Sequence, residues 1–501
     1  VLRRLFKQSS IYAVASVTSK LTGFILLAYY GDPDILPKAD FGYLGALDAA
    51  KMFVLLVAGV GLPLGILRFA SSPQLTEAER AAVPATALGV ALVAGGLTMA
   101  AGWGLAPLAS EALFGTAARA DAIRWLAVFV GFKTVSDVSY TVLRQREKAG
   151  AFVLIGVVES LLLVAAVVFF LIRGEGLTGV MKGYAVSAAT IAFVVTPMLW
   201  LRVERRVDAS LVGRMLAFGL PLIASGFASR FLNIGDRFVL LAMKGPEAAA
   251  VYEWAARFGG VVNTFLVQSF VLAFTVLGMK ALDESGSPDL HRQSFRHFAA
   301  LAGWVTLGLG LFVADVSRVL TDDPDFIGTE AVVLLIAGGF AFYGLYYVVV
   351  NVLYVAGRTR AVAVSVGGAA LLNLLLNLLL IPSMGIAGAA VATLAAYATL
   401  AIVTARMGQA STPVAYPWMA LVWVSALVGG LFLFAQPSAD WAFEPRFGLR
   451  VVLAALYVPG LFVVGVYRRD DLARAVSLVR RREQAGSTPE ADPPPGPPDA
   501  T

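Results

Sequence analysis

The sequence predicts an all-α polytopic membrane protein of about fourteen transmembrane helices. Two six-helix lobes related by a pseudo-twofold along the membrane normal are followed by two C-terminal helices. Three observations lead there. The 501 residues are 58 % hydrophobic with a mean hydropathy of +0.78, well above soluble composition. Apolar stretches of about 20 residues, the length that crosses a bilayer as a helix, recur along the whole chain. The period-two alternation of a membrane barrel is absent.

In chain order the spans fall near residues 9–30, 41–67, 83–109, 122–143, 151–172, 177–201, 211–241, 248–279, 297–320, 330–355, 361–381, 384–405, 417–435 and 447–467. The longest connection, about 280–296, leaves no room for a large external catalytic domain. The basic opening Arg3, Arg4, Lys7 enters the first span without a small-residue cleavage site and reads as a retained helix. Residues 485–501 are Pro-rich and polar and are expected to be disordered. The expected division is 1–209 for the N-lobe, 210–410 for the C-lobe, 411–467 for spans thirteen and fourteen, and 468–501 for a basic segment and tail.

Positive charge sets sidedness. With the N-terminus cytoplasmic, alternate loops carry 23 Lys and Arg on the inner side and 7 on the outer side. The bias holds only with an even span count and places both termini in the cytoplasm. The net charge of +6 therefore reports topology and contact with anionic membrane lipid, not nucleic acid.

An internal duplication supports the two-lobe reading. Tyr43 and Tyr252 lie 209 residues apart, as do Gly179 and Gly388, and Lys148 and Arg358 lie 210 apart. Six helices per repeat leave both halves in the same orientation. Transporters built from such repeats commonly bind cargo between them and alternate access by rocking.

Nine cations fall more than two residues inside the predicted spans: Lys20, Lys51, Lys133, Lys182, Arg214, Arg230, Arg237, Arg257 and Arg450. Each costs roughly 2.5–3.5 kcal/mol at a helix centre on insertion scales. A chain carries that repeated penalty when the charges face a watery interior and bind something anionic. Five carboxylates accompany them, Asp48, Asp137, Glu159, Asp236 and Glu253, which leaves an expected excess of four positive charges. Asp48 and Lys51, Lys133 and Asp137, and Glu253 and Arg257 are spaced to pair along one helix face. Lys20 and Arg230 have no carboxylate at that spacing and are themselves 210 residues apart.

Other features carry less. With no cysteine, disulfides and thiolate metal sites are excluded. His291 and His297 are expected as interfacial loop residues. Asp32, Pro33 and Asp34 superficially resemble an acidic metal-binding pair of a membrane glycosyltransferase, but read as turn chemistry. Gly61-Leu62-Pro63, Pro84, Pro197 and Gly219-Leu220-Pro221 are candidate hinges or static kinks. Tyr343, Tyr346, Tyr347 and Tyr354 form a packing stripe in span ten or, alternatively, ring faces for stacking on sugars.

The order and spacing of several short motifs resemble the polysaccharide (O-antigen, Wzx-type) flippase family. They are Ser9-Ser10-Ile11-Tyr12 after a basic turn, Phe41-Gly42-Tyr43-Leu44, and Gly61-Leu62-Pro63 with Arg68-Phe69. Phe218-Gly219-Leu220-Pro221, the stretch 233–240 with Asn233, Asp236 and Arg237, Tyr343 to Tyr347, and Ala356-Gly357-Arg358 complete the set. The resemblance spans roughly residues 8–405. It implies the multidrug/oligosaccharidyl-lipid/polysaccharide (MOP) exporter fold, two six-helix lobes around a central cavity. It also implies translocation of an undecaprenyl-diphosphate-linked oligosaccharide across the bacterial cytoplasmic membrane, and partners such as a polysaccharide polymerase and a chain-length regulator. A lipid II flippase and a cation or drug antiporter share the fold and are the alternatives. In the resembled fold spans one, two, seven and eight line the cavity, so Lys20, Lys51, Arg230 and Arg257 are the expected diphosphate ligands. Asp48 and Glu159 are the candidates for coupling to H+ or Na+; no cofactor or metal is expected.

Overall fold

The computed structural model describes residues 22–146, 148–201, 206–285, 288–468 and 471. Lys20, most of the first predicted span, the basic stretch beyond Arg468 and the tail lie outside them. Among the described residues every regular element is helical, and thirteen helices are long and apolar enough to cross a membrane. They match the thirteen spans predicted after the first.

The chain divides into two compact units, one ending at Tyr416 and one beginning at Pro417. The first contains α1 (22–30), α2 (Lys38–Gly59), α3 (Leu62–Phe69), α4 (Glu77–Phe114), α5 (Ala120–Gln145), α6 (Ala149–Ile172), α7 (Gly176–Trp200), α8 (Ala209–Ile234) and α9 (Asp236–Val261). It continues through α10 (Gln268–Ser285), α11 (Asp289–Leu320), the short α12 (Pro324–Ile327), α13 (Glu330–Val355), α14 (Thr359–Met384) and α15 (Ile386–Gln409). The second unit packs α16 (Trp418–Ala435) on α17 (Phe443–Val463) and buries Arg450.

The packing repeats as the duplication requires. In the first half α5 packs on α4 and α7, and α6 on α7; in the second, α13 packs on α11 and α15, and α14 on α15. These are the same pairs of spans, six helices on. The halves meet along α2 and α9, and where α8 approaches α2 and α3.

Local chemistry sets the helix ends. Thr76 and Glu79 form a reciprocal capping box at α4: the Glu79 N–H donates to Thr76 Oγ1 at 3.2 Å and the Thr76 N–H to Glu79 Oε2 at 2.9 Å, satisfying two otherwise orphaned donors. Asp208 caps α8 by accepting from the Ser210 N–H at 2.8 Å. The Ser210 hydroxyl and N–H hold its carboxyl below the usual range. Asp32 accepts from the Asp34 N–H at 3.0 Å, the Asx-turn its sequence suggests.

Two breaks shape the lobe interface. Val60 (φ 42°) and Gly61 (φ 67°) are left-handed and separate α2 from α3, with Pro63 in the first turn of α3, where its missing N–H is harmless. Gly245 (φ 81°) divides α9 into Asp236–Lys244 and the part after Pro246, so the eighth span begins at that break. A π-helical stretch, Val262–Val267, follows α9. At the first break the backbones of the two lobes touch. A Cβ on Gly219 would lie 1.9 Å from the Val60 carbonyl oxygen, and one on Gly61 2.7 Å from Gly219 Cα. Arg68 lies 4.5 Å over the Phe218 ring beside that contact.

The two histidines differ from expectation. Both lie on α11, not in a loop, because the helix starts immediately after Pro288, and His291 is fully buried with its ring 5.2 Å from that of Phe274.

Candidate functional site

Where α2 runs along α9, side chains of alternating charge form one chain. Lys51 Nζ lies 2.6 Å from Asp48 Oδ1, and Asp48 Oδ2 lies 3.3 Å from Arg257 Nη2. Arg257 Nε contacts Glu253 at 3.1 Å, Glu253 accepts from Arg237 Nε at 2.8 Å, and Arg237 Nη1 contacts Asp236 at 3.1 Å. Asp236 ends the chain, accepting from the Tyr252 hydroxyl and, at 3.3 Å, from Thr393. Glu253 fits because residue 45 is glycine: a Cβ there would lie 3.2 Å from its carboxylate. Tyr184 stands 4.3 Å from Lys51, and Tyr30 and Phe41 lie 5.3 and 5.4 Å from Arg257.

Three acids and three bases make this network neutral. Charges in an apolar interior persist when paired and hydrogen-bonded. Asp48 and Arg257 are 209 residues apart, the offset of the duplication. A residue and its repeat-mate can touch only if both lie beside the axis relating the repeats. Their contact therefore marks the pseudo-twofold at the centre of the lobe interface.

The predicted site residues separate into three groups. Lys51 and Arg257 converge with Asp48 in this network, each in contact with a carboxylate. Arg230, on α8, meets no carboxylate among the described residues; its Nη1 reaches the Gly226 carbonyl at 3.5 Å. Lys20 lies outside the described residues. Glu159 sits elsewhere, within the N-lobe: it accepts from Lys133 at 3.0 Å and from the Tyr140 hydroxyl at 2.6 Å, while Lys133 also meets Asp137 at 3.2 Å.

The expected excess of four intramembrane positive charges narrows to two. Glu79 pairs with Arg214 at 2.8 Å and Glu175 pairs with Lys182. Both acids stand at helix ends that the predicted spans exclude, and the flexible basic side chains reach them. The bond from Arg237 to Glu253 was not legible in the sequence, since 16 residues separate the partners and no helical spacing links them. Among the described residues no group of three His, Asp or Glu is placed to hold a metal.

A second feature is a cavity of about 650 Å³ in the C-lobe, walled by α8, α13 and α14. Tyr343, Tyr346, Tyr347 and Tyr354 line it opposite Gly226 and Ser229.

Among solved structures, one described as lipid II flippase MurJ in an inward closed conformation superposes with a TM-score of 0.70 at 13 % identity, over 91 % of this chain and 98 % of that one. An inward-facing multidrug resistance MATE family transporter of the MOP superfamily gives 0.61 at 14 % identity, over 83 % and 96 %. A MOP superfamily transporter from Pyrococcus furiosus, described as having a binding pocket of reversed polarity, gives 0.57 at 15 %, over 83 % and 97 %. At these identities the likeness shows the fold, which is that of MOP transporters. No curated protein matches the chain in sequence. Residues 5–275, more than half of the chain, match the family model described as polysaccharide biosynthesis protein, and the chain belongs to that family.

Proposed function

We propose that this protein carries an undecaprenyl-diphosphate-linked oligosaccharide from the inner to the outer leaflet of a bacterial cytoplasmic membrane, by alternating access between its two lobes. Both termini face the cytoplasm in this reading. The observation that carries it is Arg230, a guanidinium on α8 with no carboxylate partner among the described residues, in a chain of the polysaccharide biosynthesis family. An unpaired guanidinium matches a diphosphate through its planar fork. Lys20, its repeat-mate, supplies the second cation.

Lys51 and Arg257 join the site by exchange. While the lobes are closed Asp48 holds both; a diphosphate entering between the lobes offers equivalent oxygen acceptors, and Arg257 passes from Asp48 to the cargo. Protonation of Asp48 frees the same two cations, which couples transport to a proton gradient. Glu159 is the other candidate for coupling. The polyisoprenoid tail stays in lipid throughout. A polymerase and a chain-length regulator act on the delivered glycan.

Deleting the gene and identifying the undecaprenyl-linked glycan that accumulates at the inner leaflet tests this reading. Arg230→Ala is expected to reproduce the block at normal membrane abundance. Accumulation of lipid II instead establishes the peptidoglycan-precursor reading, which the shared fold favours next. Full transport in K20A, R230A, R257A and the triple variant refutes the diphosphate site.

A further inference from the structure

We propose that the tyrosine-lined cavity of the C-lobe is the subsite for the sugar next to the diphosphate; this rests on the lipid-linked glycan reading above. Its volume, about 650 Å³, falls within the roughly 300–1,000 Å³ of small-molecule sites. The four tyrosines come from one face of α13, at spacings of three, four and seven residues that align on a helix. Tyr343 and Tyr346 are parallel with centroids 5.9 Å apart, and Tyr347 stands edge-on to both at 5.1 and 5.2 Å. Packed rings of this kind are rigid, so they bind without losing rotamer freedom on contact.

The hydroxyls define the ligand class. Tyr343 and Tyr347 share one hydrogen bond at 2.9 Å, and Tyr346 and Tyr354 add two further hydroxyl-bearing rings to the same wall. The Tyr343–Tyr347 pair brings two O–H groups and uses one donor internally, and Tyr346 and Tyr354 bring one O–H group each. The wall therefore presents further donors, with lone pairs beside them, next to aromatic faces. Sugar hydroxyls are paired donors and acceptors on a ring whose C–H faces stack on aromatics, and they complement this wall. An acyl chain would leave those donors unsatisfied at a cost. An organic cation would find ring faces but no carboxylate, since none of the described residues lining the cavity is charged.

Position joins the cavity to the diphosphate site. Gly226, whose carbonyl Arg230 Nη1 approaches, lines the cavity, and so does Ser229 beside Arg230. Asn233 is braced independently: it accepts from the Tyr397 hydroxyl at 2.7 Å and donates to the Ser229 carbonyl at 2.7 Å, which holds this face of α8 against α15. At the other end Tyr354 and Thr359 flank the turn carrying Arg358. Positive charge assigns that turn to the cytoplasm, where a nascent glycan stands.

The test measures binding to the purified full chain in detergent, with farnesyl diphosphate and a panel of farnesyl diphosphates each carrying one neutral or N-acetylated hexose. Wild type is expected to bind at least one sugar-bearing probe about ten-fold or more tighter than farnesyl diphosphate, as one or two net hydrogen bonds allow. The double variant Tyr347→Phe with Tyr354→Phe keeps the rings and should abolish that preference while binding farnesyl diphosphate as before. If it lowers the yield of folded protein, Ala363→Trp fills the cavity from α14 and should act alike. A preference retained in both variants overturns the subsite, as does an equal loss for both kinds of probe. Wild type that binds diphosphates without preferring sugar overturns the subsite alone; wild type that binds none overturns the lipid-linked reading and the subsite with it.

Discussion

Adding one methyl group at Gly219 should push the lobes apart at the end where α8 meets α3. The Cβ of Gly219→Ala would lie 1.9 Å from the Val60 carbonyl oxygen, whereas carbon–oxygen contacts of this kind settle near about 3.3 Å. The backbones must therefore separate by about 1.4 Å, the difference between those distances. No flexible side chain lies between them to absorb the change. Overpacking of this kind costs about 1–3 kcal/mol, which shifts the ratio of closed to open molecules roughly five- to 150-fold. The chain contains no cysteine, so spin labels at Ser71→Cys and Gly213→Cys report the separation of the two lobes directly by double electron–electron resonance. Gly213 is open to substitution, with nothing within 4 Å of its Cβ position. G219A should move the distance distribution towards longer values and lower transport. Gly59→Ala, whose Cβ also meets nothing within 4 Å, should leave it unchanged. A G219A distribution superposable on wild type would refute the claim that this contact closes the lobes.

Asp48→Asn removes the carboxylate charge shared by Lys51 and Arg257 and should cost about 3 kcal/mol, the order seen when one partner of a buried ion pair is lost. Adding Lys51→Met should restore most of that stability, because Arg257 keeps Glu253; thermal unfolding in detergent reads both, and an unchanged midpoint in D48N rejects the network. Tyr140→Phe deletes a 2.6 Å hydrogen bond to Glu159 and should cost about 1.5–3 kcal/mol, as for bonds to charged groups. Combined with Glu159→Gln it should cost less than the sum of the two single variants, and strict additivity would show that the groups do not interact.

Span positions were legible because hydropathy acts over twenty residues at a time. The pairs Lys51–Asp48 and Arg257–Glu253 were legible as well, being three and four residues apart on one helix. The bond from Arg257 to Asp48 required knowing that α2 and α9 lie together, and the reach of Arg214 and Lys182 to Glu79 and Glu175 depended on where those helices end. Gly61 was visible as a break, yet its purpose, close approach to Gly219, became visible only with both backbones in place. The four tyrosines had helical spacing, but periodicity cannot distinguish a filled interface from a void. The cavity is a property of α8, α13 and α14 together.

The neutral network on the axis divides at a particular point. Its single bond between lobes joins Asp48 to Arg257 at 3.3 Å, the longest ion pair in the series. Parting there leaves Lys51 with Asp48 on one side and Arg257, Glu253, Arg237 and Asp236 on the other. Each fragment sums to zero, so rupture strands no unbalanced ion in low dielectric. The seam works as a perforation: it tears along one line and reseals in register, with little electrostatic barrier in either direction.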